Sequence, residues 1–209
     1  MYTANVDSVR HTFQASGSLW QDALVMQDVE TENLWSQISG ESIQGNLKGK
    51  TLSIFNNFSH STFSEFKKQY PHGLMLKKEI IGEAGSHYTK YMEDSTKFGI
   101  FNRADTFNKL GGKELVFGIR HGDKVVAVSK NYLVKNGTYA FKSGDSVVLV
   151  EYETNSGSIS AFECEYNFVN DKIPPTIIIN DLVKKKSVGV VTSYWFAWIS
   201  FFSETELIH

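Results

Sequence analysis

Short runs of β-branched and aromatic residues, broken by Gly, Asn, Asp and Ser, dominate the chain. Ala23 to Val29, Thr51 to Phe55, Leu115 to Ile119, Lys124 to Val128, Ser146 to Tyr152 and Ser158 to Cys164 read as strands. Such residues pack well on a pleated surface, and the residues bounding each run are turn formers. The clearest hairpin joins Leu115–Arg120 to Lys124–Val128 through His121-Gly122-Asp123, where glycine supplies the turn. A second joins Ser146–Glu153 to Ser158–Cys164 through Thr154-Asn155-Ser156-Gly157, so a meander of four strands is expected.

Helical periodicity is scarce. From Ser61 to Tyr70 the chain opens with capping residues and spaces Phe63, Phe66 and Tyr70 as on one helix face, before Pro71 stops it. Between Ile81 and Leu110 the pattern dissolves into polar residues with scattered aromatics, and an irregular connection is expected, of a length uncommon without function.

The tail, Trp195-Phe196-Ala197-Trp198-Ile199-Ser200-Phe201-Phe202, admits two readings, a membrane anchor or a core element. The uncharged run from Ser187 to Ser203 is 17 residues long and contains several Ser, Gly and Thr positions. A spanning helix needs about 20 predominantly apolar residues, and tryptophans favour the interface over the bilayer centre, so no transmembrane anchor is expected. Lys184, Lys185 and Lys186 then read as a solvated turn before a strand over Ser187–Thr192. Phe63 and Phe66 stand 132 residues before Trp195 and Trp198, and Tyr70 meets Phe202 at the same offset. The tail thus reads as a second copy of the first helix, and its deletion should unfold the protein.

Composition narrows the rest. The 209 residues carry a formal net charge of -2, which disfavours a nucleic-acid binder, since that needs a basic face to displace condensed counterions. A single cysteine, Cys164, excludes an intramolecular disulfide and a cysteine-rich zinc site, and Glu163 and Glu165 beside it would raise its pKa and disfavour a nucleophile. Met1 to Phe13 lacks the apolar stretch of a secretory signal, so the chain as written is expected in the cytoplasm, or in the envelope or outside the cell if an export signal precedes it.

Met26–Gln37, with its Leu34-Trp35-Ser36-Gln37 block, and Gly40–Gly49 resemble the prokaryotic family catalogued as domain of unknown function 3179. The resemblance continues through Lys113–Ile119 and the closing Trp195-Phe196-Ala197-Trp198 with Glu204-Thr205. It implies an internally duplicated chain, often exported. Family members usually begin with a strand carrying a Cys-Pro-Leu-Cys-like motif. Here the chain starts close to His11-Thr12-Phe13 without one, and the second-copy turn around Phe162 to Asp171 is reduced. A metal or redox role for such a cysteine pair is therefore not available to this short form.

The fold expected is mainly β with a few short helices: one domain over 1–209, with pseudo-repeated halves of about 1–80 and 113–209 joined by 81–112. Asp28 and Glu30 share a strand face, where a carboxylate pair could do acid–base work or simply meet water. Trp35 with Gln37 could form a flat platform beside a hydrogen-bonding amide, although core packing suits Trp35 alone. Asp28, Trp35, Gln37, Glu41 and Arg120 are the candidate ligand-binding residues. The six histidines, His11, His60, His72, His87, His121 and His209, show no metal-ligand spacing; no metal or cofactor is indicated. Gly111-Gly112-Lys113 is not a phosphate loop, and no serine-hydrolase elbow is present. The leading expectation is a binding or interaction module for a small polar ligand or a protein partner. The alternative is an enzyme with a polar site in the cleft between the halves, using Asp28, Glu41 and Arg120.

Overall fold

The computed structural model describes residues 1–55, 61–77, 86–99, 109–165 and 182–209, and strand is the commonest regular state among them. His60, the side chains of His87 and Tyr88, and the far end of the reduced turn toward Asp171 lie outside the described residues.

The N-terminal half opens with a small hairpin, β1 (Asn5–Val6) and β2 (Val9–Arg10), followed by β3 (Phe13–Trp20), β4 (Ala23–Asp28), β5 (Leu34–Ser36) and β6 (Ser42–Gln44). The last four form one sheet in chain order. Gln21 and Asp22 join β3 to β4 with φ of 50° and 61°, the doubly left-handed conformation that matches the strands' twist. Helices α1 (Phe63–Gln69) and α2 (Ser86–Glu93) follow. The C-terminal half contains β7 (Leu115–His121), β8 (Lys124–Ser129), α3 (Lys130–Asn136), β9 (Thr138–Ser143), β10 (Ser146–Glu153), β11 (Ser158–Glu165) and β12 (Val183–Ser187). It ends with β13 (Val190–Tyr194), α4 (Trp195–Phe201) and β14 (Glu206–Ile208).

A central sheet in the order β13-β7-β8-β14 is buried on both faces. Strand alternation sends Phe117, Ile119, Val126 and Val128 toward the outer sheet β12-β11-β10-β9, where they meet Phe141, Val148, Val150 and Ala161. It sends Val116 and Ala127 to the other face, against Trp195 and Trp198 of α4 and Ala23 and Ile38 of the N-terminal half. A third cluster holds Val6, Trp35 and Leu52 together. Between β8 and β9, α3 is capped by the Ser129 hydroxyl, which accepts from the Tyr132 N–H at 3.1 Å, and ends at Gly137 with φ of 75°.

Four expectations need correction. The two hairpins do not form one meander: β7 and β8 lie in the central sheet and β10 and β11 in the outer one, because α3 carries the chain across. Lys184–Lys186 are in β12, whose exposed face suits them: Lys184 meets Glu151 at 2.6 Å and Lys185 meets Glu165 at 3.0 Å. The expected irregular connection contains α2. Thr51–Phe55 is not a regular strand but pairs locally, with bridges Tyr2 to Ile54 and Glu41 to Thr51.

Helices α1 and α4 have the same form. Each spans seven residues, and the N-caps Thr62 and Tyr194 have φ, ψ of -69°, 149° and -72°, 147°. The C-caps Tyr70 and Phe202, at -127°, 74° and -133°, 72°, donate to the carbonyls of Phe66 and Trp198. Their surroundings differ: α1 buries none of its side chains, whereas α4 buries Trp195, Phe196, Ala197 and Trp198. The first turn of α4 is tied to the loop before β7, since Trp195 and Phe196 donate their N–H groups to the carbonyls of Glu114 and Gly112, each at 2.9 Å. No helix among the described residues is long and apolar enough to cross a membrane.

Candidate functional site

Asp28 ends β4 at the start of a tight turn, in which the Glu32 N–H donates to the Asp28 carbonyl at 3.0 Å and Glu32 takes a φ of 57°. Its carboxylate is wholly buried. Oδ1 accepts from the Thr31 N–H at 2.7 Å and the Thr31 hydroxyl at 2.5 Å, and Oδ2 accepts from the Trp35 indole N–H at 2.8 Å. Burial pushes the Asp28 pKa up, but the hydrogen bonds from Thr31 and Trp35 outweigh it and hold the group below its ordinary value. Asn33 braces the turn: its amide donates to Thr31 and, at 2.8 Å, to Asn46, while its oxygen accepts from the Leu47 N–H at 2.8 Å. Gly45, at φ 106°, lies so close to Asn33 that a Cβ would overlap the amide.

The β3–β4 register pairs Phe13 with Asp28, and two residues further out this brings His11 to Asp28 and Glu30. The Thr12 N–H donates to both Glu30 oxygens, at 2.9 and 2.8 Å, and this bond lowers the Glu30 pKa. His11 is only 7% exposed, and its Nδ1 lies 3.4 Å from Asp28 Oδ1 and 3.9 Å from Glu30 Oε2, with no hydrogen-bond partner among the described residues. Ligand atoms of His11, Asp28 and Glu30 lie within 4.8 Å of one another, the only such group found among the described residues. Sequence spacing does not disclose it, because 17 residues separate His11 from Asp28 and only the β3–β4 pairing joins them.

His11 also lines a cavity of about 860 Å³ between the halves. One wall comes from Tyr2, Phe13, Leu24 and Met26, the other from β13 and from Phe196 and Ala197 of α4. Polar groups along the cavity include Arg10, Asp22 and Gln37.

The five residues expected to bind a ligand are not gathered in one place. Gln37 is exposed and lines the cavity. Trp35 is 0% exposed, so it offers no ring face to a ligand and is a core residue with an edge-on contact to Phe13. Asp28 is its hydrogen-bond acceptor. Glu41 is exposed, and its main chain bridges to Thr51. Arg120 donates to the Ser39 carbonyl at 2.7 Å and lies over the Phe202 ring at 5.2 Å, tying the central sheet to the N-terminal half. Cys164 is buried, and burial pushes its thiol pKa up. His121 ends β7 beside the hairpin turn, with Nδ1 3.0 Å from the Ser143 hydroxyl and Nε2 3.3 Å from Glu163.

Comparison with curated proteins and with solved structures returns no significant match. A family model does match, over residues 1–205, and it covers the Asp28 turn, the cavity walls and α4 alike. The chain belongs to the family described as Protein of unknown function (DUF3179).

Proposed function

We propose that the protein is a non-catalytic binding module that takes a small ligand in the cavity between its two halves. The cavity itself carries this reading: at about 860 Å³ it is of the size that holds a small organic molecule. Mostly apolar walls with Arg10, His11 and Gln37 among them suit an apolar body bearing one polar group. Glu41 and Arg120 do not line this cavity, so the alternative of an enzyme working through Asp28, Glu41 and Arg120 has less support than binding.

Duplication accounts for a cleft at that place. In each half a β-hairpin (β1–β2 or β7–β8) precedes four strands paired in chain order (β3 to β6 or β9 to β12). A segment then returns to the start of the half, as Tyr2, just ahead of β1, bridges Ile54 in one and β13 pairs with β7 in the other, and a seven-residue helix follows. Helix α3 has no counterpart between β2 and β3. This succession supports pseudo-repeated halves over 1–80 and 113–209, and the cavity lies at their junction.

Leu24 is partly exposed on the cavity wall, so Leu24→Trp narrows the space without reaching the buried core. Thermal-shift screening of small amphipathic acids, amides and alcohols should give compounds that stabilise the wild type and lose that effect in Leu24→Trp and Gln37→Ala. Stabilisation that survives both substitutions, or a screen without a stabilising compound, sinks the reading.

A further inference from the structure

We propose that His11, Asp28 and Glu30 form a binding site for a divalent first-row cation, with Zn²⁺ as its representative. A neutral imidazole has a lone pair on one ring nitrogen. Here Nδ1 is buried, makes no hydrogen bond among the described residues and faces two carboxylates at 3.4 and 3.9 Å. Two acidic side chains around one buried ring nitrogen favour a positive centre among them, which a protonated imidazole or a metal ion supplies, and the metal ion uses all three as ligands.

Spacing and donor chemistry agree. Zinc bonds to imidazole nitrogen and carboxylate oxygen of about 2.0–2.2 Å place tetrahedral ligands about 3.4 Å apart. Nδ1 and Asp28 Oδ1 already stand at 3.4 Å. Glu30, 42% exposed, closes the remaining half-ångström or so from 3.9 Å by a small swing that keeps one of its oxygens on the Thr12 N–H. One nitrogen with two carboxylates is a mixed donor set that suits a borderline cation better than a hard or a thiophilic one. Of about four acceptor sites on the Asp28 carboxylate, Thr31 occupies both on Oδ1 and Trp35 one on Oδ2, so a metal takes the open site on Oδ2 or displaces the Thr31 hydroxyl from Oδ1. The indole N–H and the Thr31 turn then do what outer-shell partners do in metal sites, fixing the orientation of a ligating carboxylate. His11 is also on the cavity wall, so a fourth, open position of the cation has access to that space.

The proposal stands on the three side chains and holds whether or not the cavity takes an organic ligand. Its test is titration of the full-length, untagged, chelator-treated chain with Zn²⁺ by calorimetry, and with Co²⁺ by visible absorbance. Wild type should bind one equivalent of Zn²⁺, and Co²⁺ should give the intense visible bands of a low-coordinate nitrogen–oxygen site. Glu30→Gln keeps an oxygen for the Thr12 N–H, so the fold persists; it and His11→Gln should each weaken Zn²⁺ binding by at least about tenfold. Leu24→Trp leaves all three ligands in place and should bind Zn²⁺ like wild type, which separates this site from ligand binding in the cavity. Absence of saturable binding, or one-equivalent binding unchanged in both Glu30→Gln and His11→Gln, overturns the proposal.

Discussion

The indole of Trp198 lies directly on the backbone of Gly118, so closely that a Cβ at 118 would overlap its six-membered ring. Gly118 is in β7 with Val116 and Ile119, both fully buried, and its missing side chain is what allows α4 to settle on the central sheet. The indole N–H of Trp198 donates to the Thr205 hydroxyl at 2.9 Å, so the ring is held at both ends and has little room to retreat. Overpacking a core typically costs about 1–3 kcal/mol. Gly118→Ala should lose stability at the upper end of that range in urea unfolding. A midpoint equal to wild type would mean that the ring moves freely, contrary to this packing.

Removing the tail is expected to be more severe. Residues 194–209 supply Trp195 at 1% exposure, Trp198 at 0%, and the edge strand β14. Losing one such large core side chain costs about 3–5 kcal/mol. Two of them with a strand approach the whole stability of a typical domain, about 5–15 kcal/mol. The truncated chain should lose its near-ultraviolet circular dichroism and its amide dispersion in nuclear magnetic resonance. A soluble, folded truncation would contradict the assignment of the tail to the core.

Strands that are buried on one or both faces were legible in the sequence for a simple reason. β7, β8, β10 and β11 are runs rich in β-branched, aromatic or other apolar residues and bounded by turn residues, and each begins within a residue of where that pattern begins. β3 carries no such signal: Phe13–Trp20 is largely exposed, contains Gly17 at φ 78° and shifts register between Ala15 and Leu19. With β3 hidden, its pairing with β4 was hidden too, and so was the meeting of His11 with Asp28. Lys184–Lys186 misled in the opposite direction, since a run of like charges resembles a turn until Glu151 and Glu165 are placed beside it. Of the candidate site, Asp28 and Gln37 could be singled out from sequence because both flank the Trp35 block, but whether Trp35 shows a ring face depends on what packs over it.

Two tryptophans that look alike in sequence should respond differently to the same substitution. Trp35→Phe removes the indole donor and leaves a buried Asp28 carboxylate short of one partner, which costs about 1–3 kcal/mol or more for a charged group. Trp195 also has a buried indole N–H, but that group has no hydrogen-bond partner among the described residues, so Trp195→Phe deletes an unsatisfied donor. Its cost should come from lost volume alone and be the smaller of the two. Urea unfolding of both variants decides the matter, and an equal or larger loss in Trp195→Phe would contradict the pairing seen here.

High pH offers a separate reading of the junction between the halves. Burial pushes the Tyr2 pKa up to about 12, against a smaller downward pull from Arg120, while its hydroxyl donates to the Ile38 carbonyl at 2.8 Å. Burial, with Glu206 and Tyr132 adding to it, likewise raises Tyr139 to about 12. A phenol near 10 in the unfolded chain and near 12 in the folded one contributes stability that is complete below pH of about 10 and lost as pH rises toward 12. Unfolding midpoints should therefore fall across that window. Tyr2→Phe should flatten the fall, since phenylalanine cannot ionise in either state, and Tyr139→Phe should flatten it again. Near-ultraviolet absorbance of tyrosinate gives the direct check: in the folded protein Tyr2 and Tyr139 should ionise only at the top of the window, and Tyr2→Phe should remove one of these late-titrating phenols. A Tyr2→Phe protein with the same alkaline stability profile as wild type would show that Tyr2 is not held in the half-buried position from which its hydroxyl reaches the Ile38 carbonyl.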